Sequence, residues 1–158
     1  LGKRVAVVDT SCLIGLSGVR LVYLPRLLYA DVILPPAVQA EFGELPAGYL
    51  LQTPDDWTLV QSLRLLLGHG ESEVIALGIE LVRTGQSVEV VLDDLQARQV
   101  AARFGLPVVG TVGLLIRAKH AGHVVSVRSI LEQMRASGFY CSTELFRRAL
   151  QLAGEEES

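Results

Sequence analysis

Apolar residues in this chain fall in short blocks whose spacing alternates between continuous and helical. RVAVVD (Arg4–Asp9) and ADVILP (Ala30–Pro35) are apolar runs with little alternation, as strands buried on both faces of a parallel sheet are. Gln86–Leu92 and Leu106–Val109 predict two further strands. Between them, ESEVIALGIELVRT (Glu71–Thr84) gathers Val74, Ile75, Leu77, Ile79, Leu81 and Val82 on a wide apolar face, which predicts a helix. Leu21–Tyr29 reads as helical with Pro25 acceptable only in a first turn, and Pro36 opens another helix through Val38 and Phe42. Asp94–Phe104 is a fourth. Gly43–Pro54 reads as a loop, WTLV (Trp57–Val60) as a brief strand or edge, and Gly68-His69-Gly70 as a break. From Val112 two or three helices follow, broken near Gly122 and Gly138, with the last over Ser142–Ala153.

Strands alternating with helices predict right-handed βαβ crossovers, hence an α/β fold with a parallel sheet covered on both faces. Ligands in such sheets collect beyond the carboxyl ends of the strands. Asp9 stands at one such end, and Asp93 and Asp94 stand at another. At 158 residues the chain fits one domain. Its expected division is a main unit over 1–138 and, within the same domain, a helical extension over 139–158 ending in an acidic tail.

Half the residues are hydrophobic, yet charges such as Asp31, Glu41, Glu71 and Glu80 keep every apolar run short of the roughly 18–20 residues that cross a bilayer. The opening LGKRVAVVDT offers only four apolar residues before Asp9, too few for a signal-peptide core, so a cytoplasmic location and no membrane are expected. Cys12 and Cys141 form no metal-type cluster and are expected as reduced thiols. The net charge of −3 hides a division. Residues 1–97 carry 6 Lys/Arg against 12 Asp/Glu, whereas residues 98–148 carry 8 against 2. An acidic half beside a basic half suits a metal together with a phosphate.

Each acid has an ordinary explanation. Asp9 can cap a turn over Ser11–Leu16, and Asp93 with Gln96 fits a capping pattern. Asp94 and Arg98 form an i,i+4 pair, Glu71 and Glu73 suit a helix amino terminus, and Glu41 can be plainly exposed. Together they read differently: carboxylates converging on one sheet edge repel unless a cation neutralises them. Oxygen donors without His or Cys favour Mg²⁺ completed by substrate phosphate, which is phosphodiester chemistry. No GxxxxGK[ST], GxGxxG or GxSxG occurs, and Asp9-Thr10-Ser11 lacks the DxD of a phosphoryl-accepting aspartate. His120 and His123 form either a metal pair at i,i+3 or a basic helix end.

VVDTSCLIGL (Val7–Leu16), DVILPPAVQAEF (Asp31–Phe42), GESEVIAL (Gly70–Leu77) and LDDLQARQVAARFGLPVVGTVGLLIRAK (Leu92–Lys119) resemble, in order and spacing, the PIN-domain family, and in particular a subfamily related to toxin–antitoxin ribonucleases. The resemblance implies a three-layer α/β/α sandwich with a mostly parallel sheet. It also implies endoribonuclease activity on single-stranded RNA with Mg²⁺ or Mn²⁺, often as a homodimeric toxin inhibited by a small antitoxin. Carried onto this chain, Asp9, Glu41 and Asp94 match the metal-binding acids, with Asp93, Glu71 and Glu73 as further candidates. Asp94 is favoured over Asp93 by its distance to the Gly105-Leu106 turn, which leaves Asp93 as the helix cap or as a reserve charge for the acid missing near Thr111. The family's further Asp or Asn after the next strand is missing from Gly110-Thr111-Val112-Gly113. Thr111 could instead position a water or phosphate, while Arg98, Arg117, Lys119 and His120 could track the RNA backbone or simply serve solubility. The missing acid keeps open an alternative, a weak or inactive module that binds RNA or a protein partner. Four Phe, four Tyr and one Trp form no visible stacking platform, and Leu21–Tyr29 is the candidate dimer surface.

Overall fold

The computed structural model describes residues 4–156, so the end of the acidic tail at Glu157 lies outside the described residues. Five strands form one parallel sheet in the order β3-β2-β1-β4-β5. The strands β1 (Val5–Val8), β2 (Asp31–Leu34), β3 (Leu50–Leu51), β4 (Val88–Val91) and β5 (Val108–Val109) match the continuous apolar runs, with β3 as an addition. The chain builds outward from β1 to β3 on one side, then returns to place β4 and β5 on the other. The order therefore reverses between β1 and β4, the position where an open α/β sheet leaves a crevice.

Nine helices among the described residues complete a three-layer α/β/α arrangement. Helices α3 (Pro36–Phe42) and α4 (Trp57–Leu63) each pack on α5 (His69–Arg83), which also covers β1 and β4. Helix α7 (Thr111–His120) packs with α1 (Thr10–Gly18), α2 (Leu24–Leu28), α8 (Val127–Ala136) and α9 (Thr143–Leu152), while α6 (Leu95–Arg103) lies on β5. Val7, Leu13, Leu34, Ile75, Leu92 and Leu114 are fully buried between these layers. Gly78 lets α5 approach β4 closely, since a Cβ there would stand 2.8 Å from Val90 Cγ1. No helix among the described residues is long and apolar enough to cross a membrane. Both cysteines are buried and free.

Three local expectations are corrected. WTLV begins helix α4, because Asp56 caps it by accepting a hydrogen bond from Leu59 N at 3.0 Å. Four residues are too few for alternation to be told from a helical turn. The loop after Gly43 contains the edge strand β3, whose two leucines are both exposed and carry no burial pattern. The turn after Asp9 is the full helix α1.

At the amino ends of the strands, Glu89 pairs in register with Ala6 and is almost wholly buried. Arg117 reaches it from α7 with both guanidinium branches, Tyr29 donates its hydroxyl to it, and Arg4 approaches at 3.2 Å. Burial pushes the Glu89 carboxyl up, but the hydrogen bonds from Arg117 and Tyr29 and the nearby cations prevail and hold it below its ordinary range. A carboxyl held down in this way stabilises the fold above its unfolded pKa, and that contribution is lost as pH falls through the folded value. Arg117→Met should therefore lower the unfolding free energy by about 2 kcal/mol at pH 7, below the ~3–5 of a fully buried pair because Arg4 remains. Thermal melts should show the gap to wild type closing as the pH falls below about 4.

Candidate functional site

Asp9 follows β1, and its backbone N–H extends the sheet ladder to Val91 O at 3.1 Å. It occupies the N-cap position of α1, but its side chain makes no capping hydrogen bond, so the ordinary explanation for this acid does not apply. The side chain is 7% exposed. Glu41 reaches the same place from α3, accepting hydrogen bonds from Thr10 Oγ1 at 2.9 Å and Gly70 N at 3.2 Å. Gly70 lies against both acids, because a Cβ there would stand 3.0 Å from Asp9 Oδ1 and 3.0 Å from Glu41 Oε1. Those two oxygens are consequently no further apart than twice that distance. Any side chain at position 70 would intrude between them.

Of the two aspartates after β4, the helix cap is Asp94 and not Asp93 as expected. Asp94 is the cap of α6, accepting from Ala97 N at 2.9 Å. Asp93 does not cap α6; it accepts from Thr111 N and Thr111 Oγ1 at 2.7 Å each and from Ser11 Oγ at 2.9 Å. It thereby ties the end of β4 to the starts of α7 and α1. Glu71, half-buried, accepts from Gly68 N at 3.1 Å. A cleft of about 460 Å³ is lined by the acids Asp9, Glu71, Asp93 and Asp94 together with Ile14, Met134, Phe139 and Tyr140.

Burial pushes the Asp9 carboxyl up to about 7; the Thr10 backbone N–H opposes this, and the charges of Glu71, Glu41 and Asp93 add to it. Burial also raises Glu71, the Gly68 N–H lowers it, and the charges of Asp94 and Glu41 raise it further. No ion pair among the described residues involves Asp9, Glu41 or Glu71. The cluster is therefore charge with nothing positive bonded to it.

Other candidate residues lie apart from this cluster. Glu73 accepts from Ala37 N at 3.1 Å and pairs with Arg64 at 3.2 Å, joining α5 to α3 and the end of α4. Thr111 is completely buried, with its N–H and hydroxyl both on Asp93. Helix α7 runs away from the cleft, so Arg117, Lys119 and His120 lie roughly 9–14 Å beyond Thr111 along its axis. There Arg117 holds Glu89, Lys119 pairs with Glu155 at 2.8 Å, and the His120 ring meets Leu152 O at 3.0 Å. Glu155 also accepts from Val127 N and Arg128 N, so this acidic residue pins the start of α8. Arg98 alone of the basic candidates stays near the acids, donating to Leu92 O at 3.1 Å and facing Gly110 beside Asp93.

Sequence reasoning missed Ser11 and Thr10, whose hydroxyls hold Asp93 and Glu41, and it read Gly70 only as a break. The paired Gly68 and Gly70 before an acidic helix start were the available signal for Gly70. Tyr140 carried no signal. The donor set is hard oxygen, suited to Mg²⁺ or Mn²⁺, which keep several waters and need only one or two protein carboxylates. Among the described residues no three His, Cys, Asp or Glu side chains converge into a ready cage.

A family model described as a PIN domain matches residues 5–155 of the chain. No curated protein and no solved structure matches it.

An acid whose pKa is raised on folding stabilises the folded chain below its unfolded pKa, and that contribution is lost as pH rises through the folded value. In chelator, wild-type stability should therefore fall between about pH 4 and 7 by a few kcal/mol, at roughly 1.4 kcal/mol per pKa unit. Asp9→Asn should flatten that slope and melt higher than wild type at pH 8. Equal slopes in the two proteins would show that Asp9 is not the buried acid responsible.

Proposed function

Because the chain belongs to the PIN-domain family, whose fold is of the nuclease type, we propose that it is a Mg²⁺- or Mn²⁺-dependent endoribonuclease acting on single-stranded RNA. The observation that carries this reading is Asp9: a buried carboxylate at the sheet's switch point, among like charges and without an ion pair. Such a group is stabilised by a cation. Asp9 would hold the ion directly, and Asp94 would join with the oxygen its capping bond leaves free. Glu41, Glu71 and Asp93 add negative charge around them. A bound divalent ion supplies Lewis acidity toward a phosphoryl oxygen and makes water more acidic.

The chain's own contribution is positioning. Thr10 and Gly70 fix Glu41, while Ser11 and Thr111 fix Asp93, so the acids at the two strand ends keep their spacing without rearrangement. Ile14, Met134, Phe139 and Tyr140 give the same cleft an apolar lining. Water attacks phosphorus in line, and the 3′-oxygen leaves with a proton from solvent.

The same cleft is where a small antitoxin would act, by bringing a positive or amide group to the acids. Tyr23 and Leu27, exposed on the Leu21–Tyr29 segment, are the apolar positions available to a second copy in a homodimer. A cytoplasmic location accords with that substrate and with two unpaired cysteines. A second reading, a module that binds RNA or protein without cleaving, is favoured by the missing acid after β5, where the sequence has Gly110-Thr111-Val112-Gly113.

Cleavage of a mixed single-stranded RNA pool in Mn²⁺ tests the choice. Asp9→Asn should slow cleavage at least about 10²-fold, the size of losing one preorganised electrostatic group. Equal cleavage by both proteins would remove Asp9 from the site. Wild type that binds the pool but leaves it intact would establish the second reading.

A further inference from the structure

The acidic cleft does not end at Asp93. A second groove, of about 480 Å³, begins there and runs between α7 and α9, with Val112, Ile116, Leu145 and Leu152 among its apolar lining. Asp93, Phe139 and Tyr140 border both cavities. Tyr140 is the shared ridge; it lies in the short connection between α8 and α9 and is 85% exposed. An aromatic ring so exposed contributes little to the core, and it stands beside the acids.

Two cations line the second groove. Arg98 donates to Leu92 O at 3.1 Å and keeps its place near Asp93. Arg148, on α9, is exposed and has no hydrogen bond or ion pair among the described residues. This contrasts with Arg117 and Lys119, whose charges are used internally on Glu89 and Glu155. Passing from the acidic cleft into the groove, a ligand meets carboxylates, then an exposed aromatic face, then an unpaired arginine. A single strand of RNA presents the complementary series: a phosphate that shares a cation with the acids, a base with a π-face, and a following phosphate. A purely apolar partner helix would bury Arg148 and Arg98 against hydrocarbon without a counter-charge, which is costly.

We propose that Tyr140 is a base-stacking residue that, with Arg148 as the contact for the adjoining phosphate, continues the substrate path of the acidic cleft into the α7–α9 groove. This rests on the RNA reading of the cleft given above. It makes Tyr140 the specificity-determining position, favouring unpaired bases, because a base within a duplex has no free face to offer.

The test reads binding without cleavage: fluorescence anisotropy of a labelled mixed-sequence RNA hexamer in EDTA, with cleavage in Mn²⁺ measured alongside. Tyr140→Ala should weaken hexamer binding about tenfold and Tyr140→Phe should stay within about twofold of wild type. Arg148→Ala should reduce the slope of log affinity against log salt by about 0.7, the value for one phosphate on a single strand. Both side chains are exposed, so melting temperatures should not move. Unchanged hexamer affinity in Tyr140→Ala, with cleavage still present, would overturn the stacking role and leave the nuclease reading standing. Neither binding nor cleavage by wild type would overturn both. Unchanged RNA affinity together with loss of a dimer by sedimentation in Leu145→Asp would assign the groove to a second copy and overturn the proposal.

Discussion

Everything at this site depends on the in-register parallel pairing of β1 with β4. Val8 opposes Val91, and the Asp9 N–H continues the ladder to Val91 O, so both strands release their chains at the same level. An acid directly after β1 and another two positions after β4 must then share one edge. Parallel strands whose connections diverge to opposite sides cannot close that edge with backbone, and the crevice left behind is where the carboxylates stand. Neither helix propensity nor surface charge could have produced this convergence. It follows from strand order, which in turn follows from apolar runs that must be covered on both faces.

The general frame was legible because it is written in local pattern. VAVV, DVIL and VEVV are strands buried enough to dispense with alternation, and the face on Val74, Ile75 and Leu77 specifies α5. The candidates Asp9 and Glu41 were legible for the same reason: each has a fixed distance from a strand. The division of labour within Asp93-Asp94 was not. Two aspartates before a helix offer the same local capping chemistry, and only the bonds from Asp93 to Thr111, 18 positions on, and to Ser11, 82 positions back, decide which one turns inward. Likewise, Arg117 looked available as a phosphate contact because its partner Glu89 sits in a strand 28 residues earlier. WTLV was too short for its period to be read. Non-local pairing is what the sequence pattern leaves unspecified.

The charge asymmetry of the chain takes on a different meaning once these partners are known. A basic second half beside an acidic first half suggested a broad electrostatic track. Much of that charge is instead structural: Arg117 fastens α7 to the amino end of the sheet, and Lys119 fastens it to Glu155 near the end of the described chain. Arg135 lies over Phe146 and donates to Cys141 O, holding the connection that carries Tyr140. The cations left at the groove are few: Arg98 stands near Asp93, and Arg148 lines the groove on α9. A small number of placed cations gives register along a strand where a diffuse field would give only attraction.

The two ends of the sheet resolve the same physical problem in different ways. Glu89 at the amino end and Asp9 at the carboxyl end are both carboxylates buried against β1 or β4. Glu89 is matched by Arg117, Arg4 and Tyr29, so its burial is compensated within the chain and its carboxyl is held down. Asp9 has no such partner: burial raises its carboxyl, and the charges of Glu71, Glu41 and Asp93 raise it further. Gly70 keeps the space between Asp9 and Glu41 free of any side chain, where even an alanine would begin to fill it. An uncompensated acid is destabilising, and a fold that can build the Glu89 cluster has the means to build another around Asp9. Its absence of an internal counter-charge therefore argues for one that arrives from outside. That is the physical basis for treating the carboxyl edge, and not the amino edge with its paired acid, as the proposed working end of the molecule.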